Sequence, residues 1–132
     1  METISDMLKR HEGFRSKPYL DTVGVPTFGY GFTYILLDEA EEILGNRISE
    51  LHRACAARWD WFDGLEDPRK NVILDMAYCM GVEGVANFGR MIAAIEEKCW
   101  ADAAAEIMDS HFGRTHKNRA NELAGMMMLP GE

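Results

Sequence analysis

The sequence has few of the features that mark metal-bound, disulfide-linked or redox-active proteins. It holds three cysteines, Cys55, Cys79 and Cys99, which are far apart and show no Cys-x-x-Cys spacing. An odd number of scattered cysteines disfavours zinc and redox chemistry and predicts buried free thiols. The four histidines never lie three or four residues apart, the spacing that places two ligands on one helix face. We therefore expect no metal site and no cofactor.

The chain also lacks long apolar runs and an excess of positive charge. No uninterrupted apolar stretch reaches bilayer-spanning length, and residues 1–6 lack the basic start of a signal peptide. We expect synthesis in a cytoplasm and no membrane insertion. The net charge of −8 disfavours nucleic acid and anionic membranes as partners, although a local basic patch remains compatible with it.

What is present is typical of an ordinary globular protein. Hydrophobic residues make up 47% and charged residues 27% of 132 residues, without repeats or low-complexity tracts. A chain of this size is long enough to bury a core by itself. We expect a single domain over residues 1–132 and a monomer.

Apolar residues recur at helical spacing, and most of these segments have recognisable ends. Thr3 is suited to cap a first helix, and Gly13 to end it. An acidic turn at residues 38–41 opens a long helix that is expected to run to about Trp59. Further helices are predicted from residue 67 to Gly81 and over residues 89–97, 100–108 and 117–128.

The segment from Pro18 to Gly31 predicts a short hairpin, because turn residues at 21–24 are flanked by residues that suit strands. The fold class is therefore α+β, mainly α. We expect a small hairpin lobe at about residues 13–36 and a larger helical lobe at about 60–132 plus the first helix. The long helix would join the two lobes, and a cleft between them is a natural substrate groove.

Two carboxylates and a hydroxyl lie within the first quarter of the chain, at Glu12, Asp21 and Thr27. Glycosidic bond cleavage requires an acid and a second carboxylate on the other side of the bond. Glu12 is the candidate acid. Asp21 and Thr27 are candidates for holding a water between them, which predicts an inverting reaction.

These residues resemble the phage-type lysozymes, glycoside hydrolase family 24, the family of bacteriophage endolysins. The resemblance lies in residues 7–13, 19–22 and 24–31 and continues through residues 71–78, 80–88, 100–104 and 118–120. It implies a lysozyme-like fold. It also implies hydrolysis, without a cofactor, of the β-1,4 bond between N-acetylmuramic acid and N-acetylglucosamine in peptidoglycan.

The same resemblance assigns the family's roles to residues of this chain. The general acid corresponds to Glu12, the catalytic aspartate to Asp21 and the water-holding threonine to Thr27. An arginine that pairs with the acid corresponds to Arg119, and Tyr78 corresponds to an aromatic residue at the back of the cleft. An endolysin made without a signal peptide would act on the cell wall, in the periplasm, after release from the host cytoplasm; a prophage remnant or an injected toxin would carry the same residues.

The chain also departs from the family pattern. Phe32 stands where the family usually has histidine, so a polar contact in the hairpin lobe is expected to be absent. The chain passes almost directly from Tyr34 into Asp38, which predicts a shortened lobe, and residues 110–117 lack the usual aromatic and Gln-Thr-Pro residues. Tyr30 and Phe32 are counted among the supporting side chains of the site.

Each candidate has a structural interpretation as well. Glu12 is also a solvated helix end, Asp21 a turn former and Arg119 a surface charge, while the aromatic residues at 59, 61 and 62 suit the core. The catalytic interpretation is favoured because four residues match in order and in context. The alternative is a non-catalytic module that binds glycan or protein; a helical interaction protein is a third, weaker interpretation.

Overall fold

The computed structural model describes residues 1–129, which belong to two compact units. One unit is Met1–Leu44 and the other is Gly45–Glu132, of which the structure describes residues up to 129. Within the described residues there are seven α-helices, one short 3-10 helix and a two-stranded sheet. The predicted α+β fold class, mainly α, is confirmed.

The first unit begins with helix α1, Ile4–Glu12. Its predicted cap is present, since Thr3 Oγ1 accepts the backbone N–H of Asp6 at 3.1 Å. Gly13 ends the helix with φ +69° and ψ 155°, and its N–H donates to the carbonyl of Lys9 at 2.9 Å. Positive φ is readily adopted by glycine, so the sequence placed this helix end correctly. None of the residues of α1 is buried.

A two-stranded antiparallel hairpin follows, formed by β1, Arg15–Leu20, and β2, Pro26–Gly29. Tyr19 pairs with Thr27, and the pairing is irregular between Arg15 and Tyr19. After β2 the chain folds back on itself, because Phe28 and Phe32 exchange backbone hydrogen bonds of 2.9 and 2.8 Å. This fold-back shapes the segment that carries Tyr30.

Helix α2, Leu37–Arg58, agrees with the long helix predicted from the acidic turn. Glu39 Oε1 accepts the backbone N–H of Leu36 at 2.9 Å and so satisfies a donor at the start of the helix. The boundary between the two units falls inside α2, between Leu44 and Gly45. Helix α2 therefore contributes residues to both units.

The second unit is helical. After α2 and a 3-10 turn at Phe62–Gly64 come α3, Asp67–Ala86; α4, Gly89–Glu96; α5, Trp100–Asp109; α6, His111–Thr115; and α7, Lys117–Met127. Helix α5 packs against α4, α6 and α7, and α3 packs against α7. The core is made of apolar side chains at helical spacing on these elements, including Phe62, Val72, Ile73, Met76, Met91, Ile107, Leu123 and Met127.

Three local details differ from expectation. Helix α3 continues past Gly81 to Ala86, with a kink at Gly81, whose φ of +79° and ψ of 161° are not helical. Helix α6 was not predicted. The residue that indicates its start is Ser110, whose Oγ accepts the N–H of Gly113 at 3.0 Å. The expectation of three buried thiols is wrong, because Cys55 is buried whereas Cys79 and Cys99 are exposed.

Two further expectations concern organisation. The division into units places helix α1 with the hairpin in Met1–Leu44. The grouping of the first helix with the helical lobe stays a prediction. The single domain over residues 1–132 stays a prediction. Among residues 1–129 no helix combines the length and the apolar character needed to span a bilayer.

Candidate active site

Glu12 is the last residue of α1, and its carboxyl group lies directly against Gly31. A β-carbon at Gly31 would stand 2.5 Å from Glu12 Oε2 and 2.8 Å from the carboxyl carbon. Gly31 also has a φ of +76°, which side chains rarely tolerate. The backbone conformation therefore favours glycine, and a side chain here would have to displace the carboxyl end of the exposed Glu12 side chain.

Asp21 lies in the turn between β1 and β2, and the turn fixes its carboxylate. Oδ1 accepts the backbone N–H of Val23 at 2.9 Å and of Val25 at 2.8 Å. The backbone of the turn is closed by two further bonds, Asp21 N–H to the Val25 carbonyl and Gly24 N–H to the Asp21 carbonyl, each 3.0 Å long. An aspartate with its carboxylate held by backbone donors is an Asx turn. One carboxylate oxygen is thus used by the protein, and Oδ2 accepts no hydrogen bond from any of residues 1–129.

Thr27 is nearly completely buried, with 4% of its surface exposed. Its hydroxyl donates to the carbonyl of Val25 at 2.9 Å. Val25 therefore connects the two candidates: its N–H donates to Asp21 and its carbonyl accepts from Thr27. Because the hydroxyl proton of Thr27 is used in this bond, the hydroxyl can bind a further group only as a hydrogen-bond acceptor.

Tyr30 and Phe32 form an aromatic cluster on the chain after β2. The ring of Tyr30 lies 5.5 Å from that of Phe14 and 6.5 Å from that of Phe32. Phe32 also covers Gly29, where a β-carbon would stand 2.5 Å from its ring. Phe32, for which a missing polar contact was predicted, makes aromatic contacts at this position.

Two candidates lie in the helical unit. Arg119, on α7, donates from Nε to Asp75 Oδ1 at 2.8 Å, and this hydrogen bond raises the pKa of Arg119 further above its usual range. Tyr78, on α3, is about half exposed and lines a surface depression of about 600 Å³ together with residues of α2, which are Arg47, Glu50, Leu51 and Ala54. The pairing of Arg119 with Glu12 that the family resemblance implies stays a prediction.

The structure thus brings Asp21 and Thr27 together through Val25, and it places Glu12 in the same unit. Three residues that contact the candidate residues were not predicted from the sequence. They are Val25, Gly31 as the neighbour of Glu12, and Asp75 as the partner of Arg119. Only Gly31 had a sequence signal, because a glycine pair around an aromatic residue indicates close approach. Among the described residues, no group of three or more His, Cys, Asp or Glu side chains is arranged to hold a metal ion.

The chain is similar to known proteins over most of its length. Residues 9–127 match the family described as Phage lysozyme. The chain is 27% identical to a protein named Probable T4-type lysozyme 1 of Dictyostelium discoideum, over 96% of this chain and 94% of that protein. It is 24% identical to Probable T4-type lysozyme 2 of the same organism, over 93% of this chain and 92% of that protein.

A further relative is the Pre-baseplate central spike protein Gp5 of Enterobacteria phage T4. It is 26% identical over 98% of this chain, which corresponds to only 28% of that longer protein. The family match extends over most of the chain and includes Asp21, Thr27, Tyr78 and Arg119 as well as Glu12. The chain therefore belongs to the phage lysozyme family.

Proposed function

We propose that this protein is a muramidase that hydrolyses the β-1,4 bond between N-acetylmuramic acid and N-acetylglucosamine in bacterial peptidoglycan, with inversion. The observation that carries the proposal is that Val25 binds both residues. Its backbone N–H donates to the carboxylate of Asp21, and its carbonyl accepts from the hydroxyl of Thr27. Such a pair suits the positioning of a water molecule. Membership of the phage lysozyme family supports the same substrate class.

In the proposed reaction Glu12 donates a proton to the glycosidic oxygen as the bond breaks. Asp21 accepts a proton from the attacking water through Oδ2, since Oδ1 is occupied by two backbone N–H groups. Thr27 accepts a hydrogen bond from the same water, because its own proton goes to Val25. Attack by water on the face opposite the leaving group inverts the anomeric carbon.

The supporting residues have simpler roles. Tyr30 and Phe32 give the hairpin unit an exposed aromatic surface beside Gly31, suited to stacking against sugar rings. Arg119 and Tyr78, which the family resemblance assigns to the site, belong to the helical unit. The protein acts as a monomer, needs no cofactor and reaches the cell wall after synthesis in a cytoplasm.

The decisive experiment measures reducing-end release from purified peptidoglycan. Wild-type protein and Glu12→Gln are compared with Glu41→Gln, which neutralises an exposed carboxylate on α2 of the same unit. We expect release by the wild type and by Glu41→Gln, and none by Glu12→Gln with an unchanged circular dichroism spectrum. Full activity of Glu12→Gln would refute the assignment of the acid.

A second candidate function is a glycan-binding module without catalysis. Only residues 32–36 separate Gly31 from the first residue of α2, and none of them belongs to a strand, so the hairpin unit is small. In that case the wild type would sediment with peptidoglycan yet release no reducing ends, and Glu12→Gln would bind equally well. The same two assays therefore separate the functions.

A further inference from the structure

Positive charge is concentrated in one short part of this acidic chain. Residues 9–17 contain four cations, Lys9, Arg10, Arg15 and Lys17, and one carboxylate, Glu12, while the whole chain carries −8. All four cations are exposed. They lie in the same unit as Glu12, two on α1 and two on β1. An acidic protein thus has a local surface of the opposite sign.

The four cations are not equally available to a ligand. Arg10 is paired with Glu2 through two hydrogen bonds of 3.0 and 2.8 Å, and this pairing lowers the pKa of Glu2. Lys9, Arg15 and Lys17 form no ion pair with any other residue in the described part of the chain. Three exposed charges are therefore free to meet an anion.

Aromatic rings accompany two of these charges. Arg15 Cζ lies 4.6 Å from the ring centre of Tyr19, and Lys9 Nζ lies 5.8 Å from that of Tyr30. Phe14 is 63% exposed and lies 5.5 Å from Tyr30. These distances are within the range of cation–π contact, which helps to hold the cations at defined positions. Two of the free cations, Lys9 and Arg15, therefore each lie beside an aromatic ring.

We propose that this surface binds the carboxylate-bearing strands of peptidoglycan, the sugar rings on the aromatic side chains and the peptide carboxylates on the cations. We call it the basic aromatic surface, and it consists of Lys9, Phe14, Arg15, Lys17, Tyr19 and Tyr30. Arginine pairs with carboxylates in a bidentate manner, and aromatic rings present a face to the apolar side of a sugar. The inference rests on the proposed substrate class and adds the means by which an acidic protein captures an acidic polymer.

The position of the surface fits this role. Tyr30 directly precedes Gly31, against which the carboxyl group of Glu12 lies. A strand held on Tyr30 and Lys9 is therefore held beside the candidate acid. Attraction between free cations and a polyanion also raises the rate of encounter, and salt weakens that attraction. Binding is expected to fall as ionic strength rises.

The test measures sedimentation with purified peptidoglycan in the Glu12→Gln background, where no cleavage is expected to interfere. Arg15→Gln combined with Lys17→Gln is compared with Arg53→Gln, which removes an exposed positive charge from α2 in the other unit. At low salt we expect the double substitution to weaken binding roughly tenfold, and Arg53→Gln to change it little. The double substitution should also flatten the dependence of binding on salt. Equal binding by the double variant and its parent, with both folded, would overturn the proposal.

A second arm changes the polymer instead of the protein. Amidation of the peptidoglycan carboxylates should reduce binding of the parent to the level of the double variant; binding unaffected by amidation contradicts carboxylate recognition. Duplex DNA at equal charge concentration should bind far more weakly, and equally tight binding to DNA would show charge attraction without glycan recognition. These outcomes do not depend on catalysis, so loss of the muramidase assignment would leave them interpretable.

Discussion

The carboxyl group of Glu12 occupies the space that a side chain at Gly31 would need. Gly31→Ala should therefore displace the carboxyl group, and it also places a side chain at a φ of +76°. We expect a loss of stability of about 1–2 kcal/mol from the backbone, and a fall in reducing-end release of roughly 100-fold from misplacement of the acid.

Gly81→Ala is the matched control for this substitution. Gly81 has a similar φ of +79°, but apart from its chain neighbours and the nearby backbone of its own helix no atom lies within 4 Å of the position that its β-carbon would take. In urea unfolding, the Gly81→Ala variant should lose a similar amount of stability. In the reducing-end release assay it should keep its activity. Equal activity losses in the two variants would show that strain alone is responsible.

Asp21 has both a structural and a proposed catalytic role, and two substitutions separate them. Asp21→Asn keeps an oxygen that can accept the N–H groups of Val23 and Val25, whereas Asp21→Ala removes it. Both should abolish measurable release, because neither has a carboxylate. Only Asp21→Ala should also lose stability, by about 1 kcal/mol. Activity retained in Asp21→Asn would mean that the residue only shapes the turn.

Arg69 is the buried cation of the helical unit, with 3% of its surface exposed. It donates to the carbonyls of Met127 and Leu129 at 2.8 and 2.6 Å and to Glu66 at 2.6 Å, and it lies 3.8 Å from the ring centre of Trp100. Its hydrogen bond to Glu66 lowers the pKa of that carboxyl group. The residue therefore ties the end of α7 to α3.

Arg69→Met should destabilise the protein by roughly 2–4 kcal/mol, because carbonyls near the end of α7 lose their donor. Arg58→Met is the control: Arg58 pairs with Glu83 at 3.2 Å on the surface, and its loss should cost below about 1 kcal/mol. Urea unfolding of the two variants measures the difference. Similar losses would contradict the role assigned to Arg69.

The thiols differ in burial and should differ in reactivity. Burial raises the pKa of the Cys55 thiol to about 11, while Cys79 and Cys99 are exposed. With a thiol reagent at pH 8, Cys79 and Cys99 should react in the native protein, and Cys55 only after unfolding. Rapid labelling of Cys55 in the native protein would contradict its burial.

The same raised pKa predicts a loss of stability in alkali. The folded protein favours the protonated thiol of Cys55, so its contribution is complete below the ordinary pKa of 9.0 and disappears as pH rises toward 11. Unfolding in urea at pH 8 and pH 10 measures this effect. Cys55→Ala should show a smaller difference between the two pH values than the wild type.

Local sequence signals predicted the helix ends and the turn because the interactions that form them act within a few residues. Thr3 reaches Asp6, and Asp21 reaches Val23 and Val25. The kink at Gly81 was read as a helix end, since a glycine in a helical pattern signals either outcome. Family resemblance added Arg119 and Tyr78 to the candidate residues, but it did not indicate the pairing of Arg119 with Asp75.

The sequence by itself determined the fold class, the main helices, the hairpin and the membership of the phage lysozyme family, because periodicity, caps and motifs are properties of neighbouring residues. Only the tertiary structure decided that Arg119 meets Asp75, 44 positions away in the sequence, and that Glu12 meets Gly31. It also decided which of the three cysteines is buried. Such contacts depend on which faces of distant segments pack together, and spacing along the chain does not specify that.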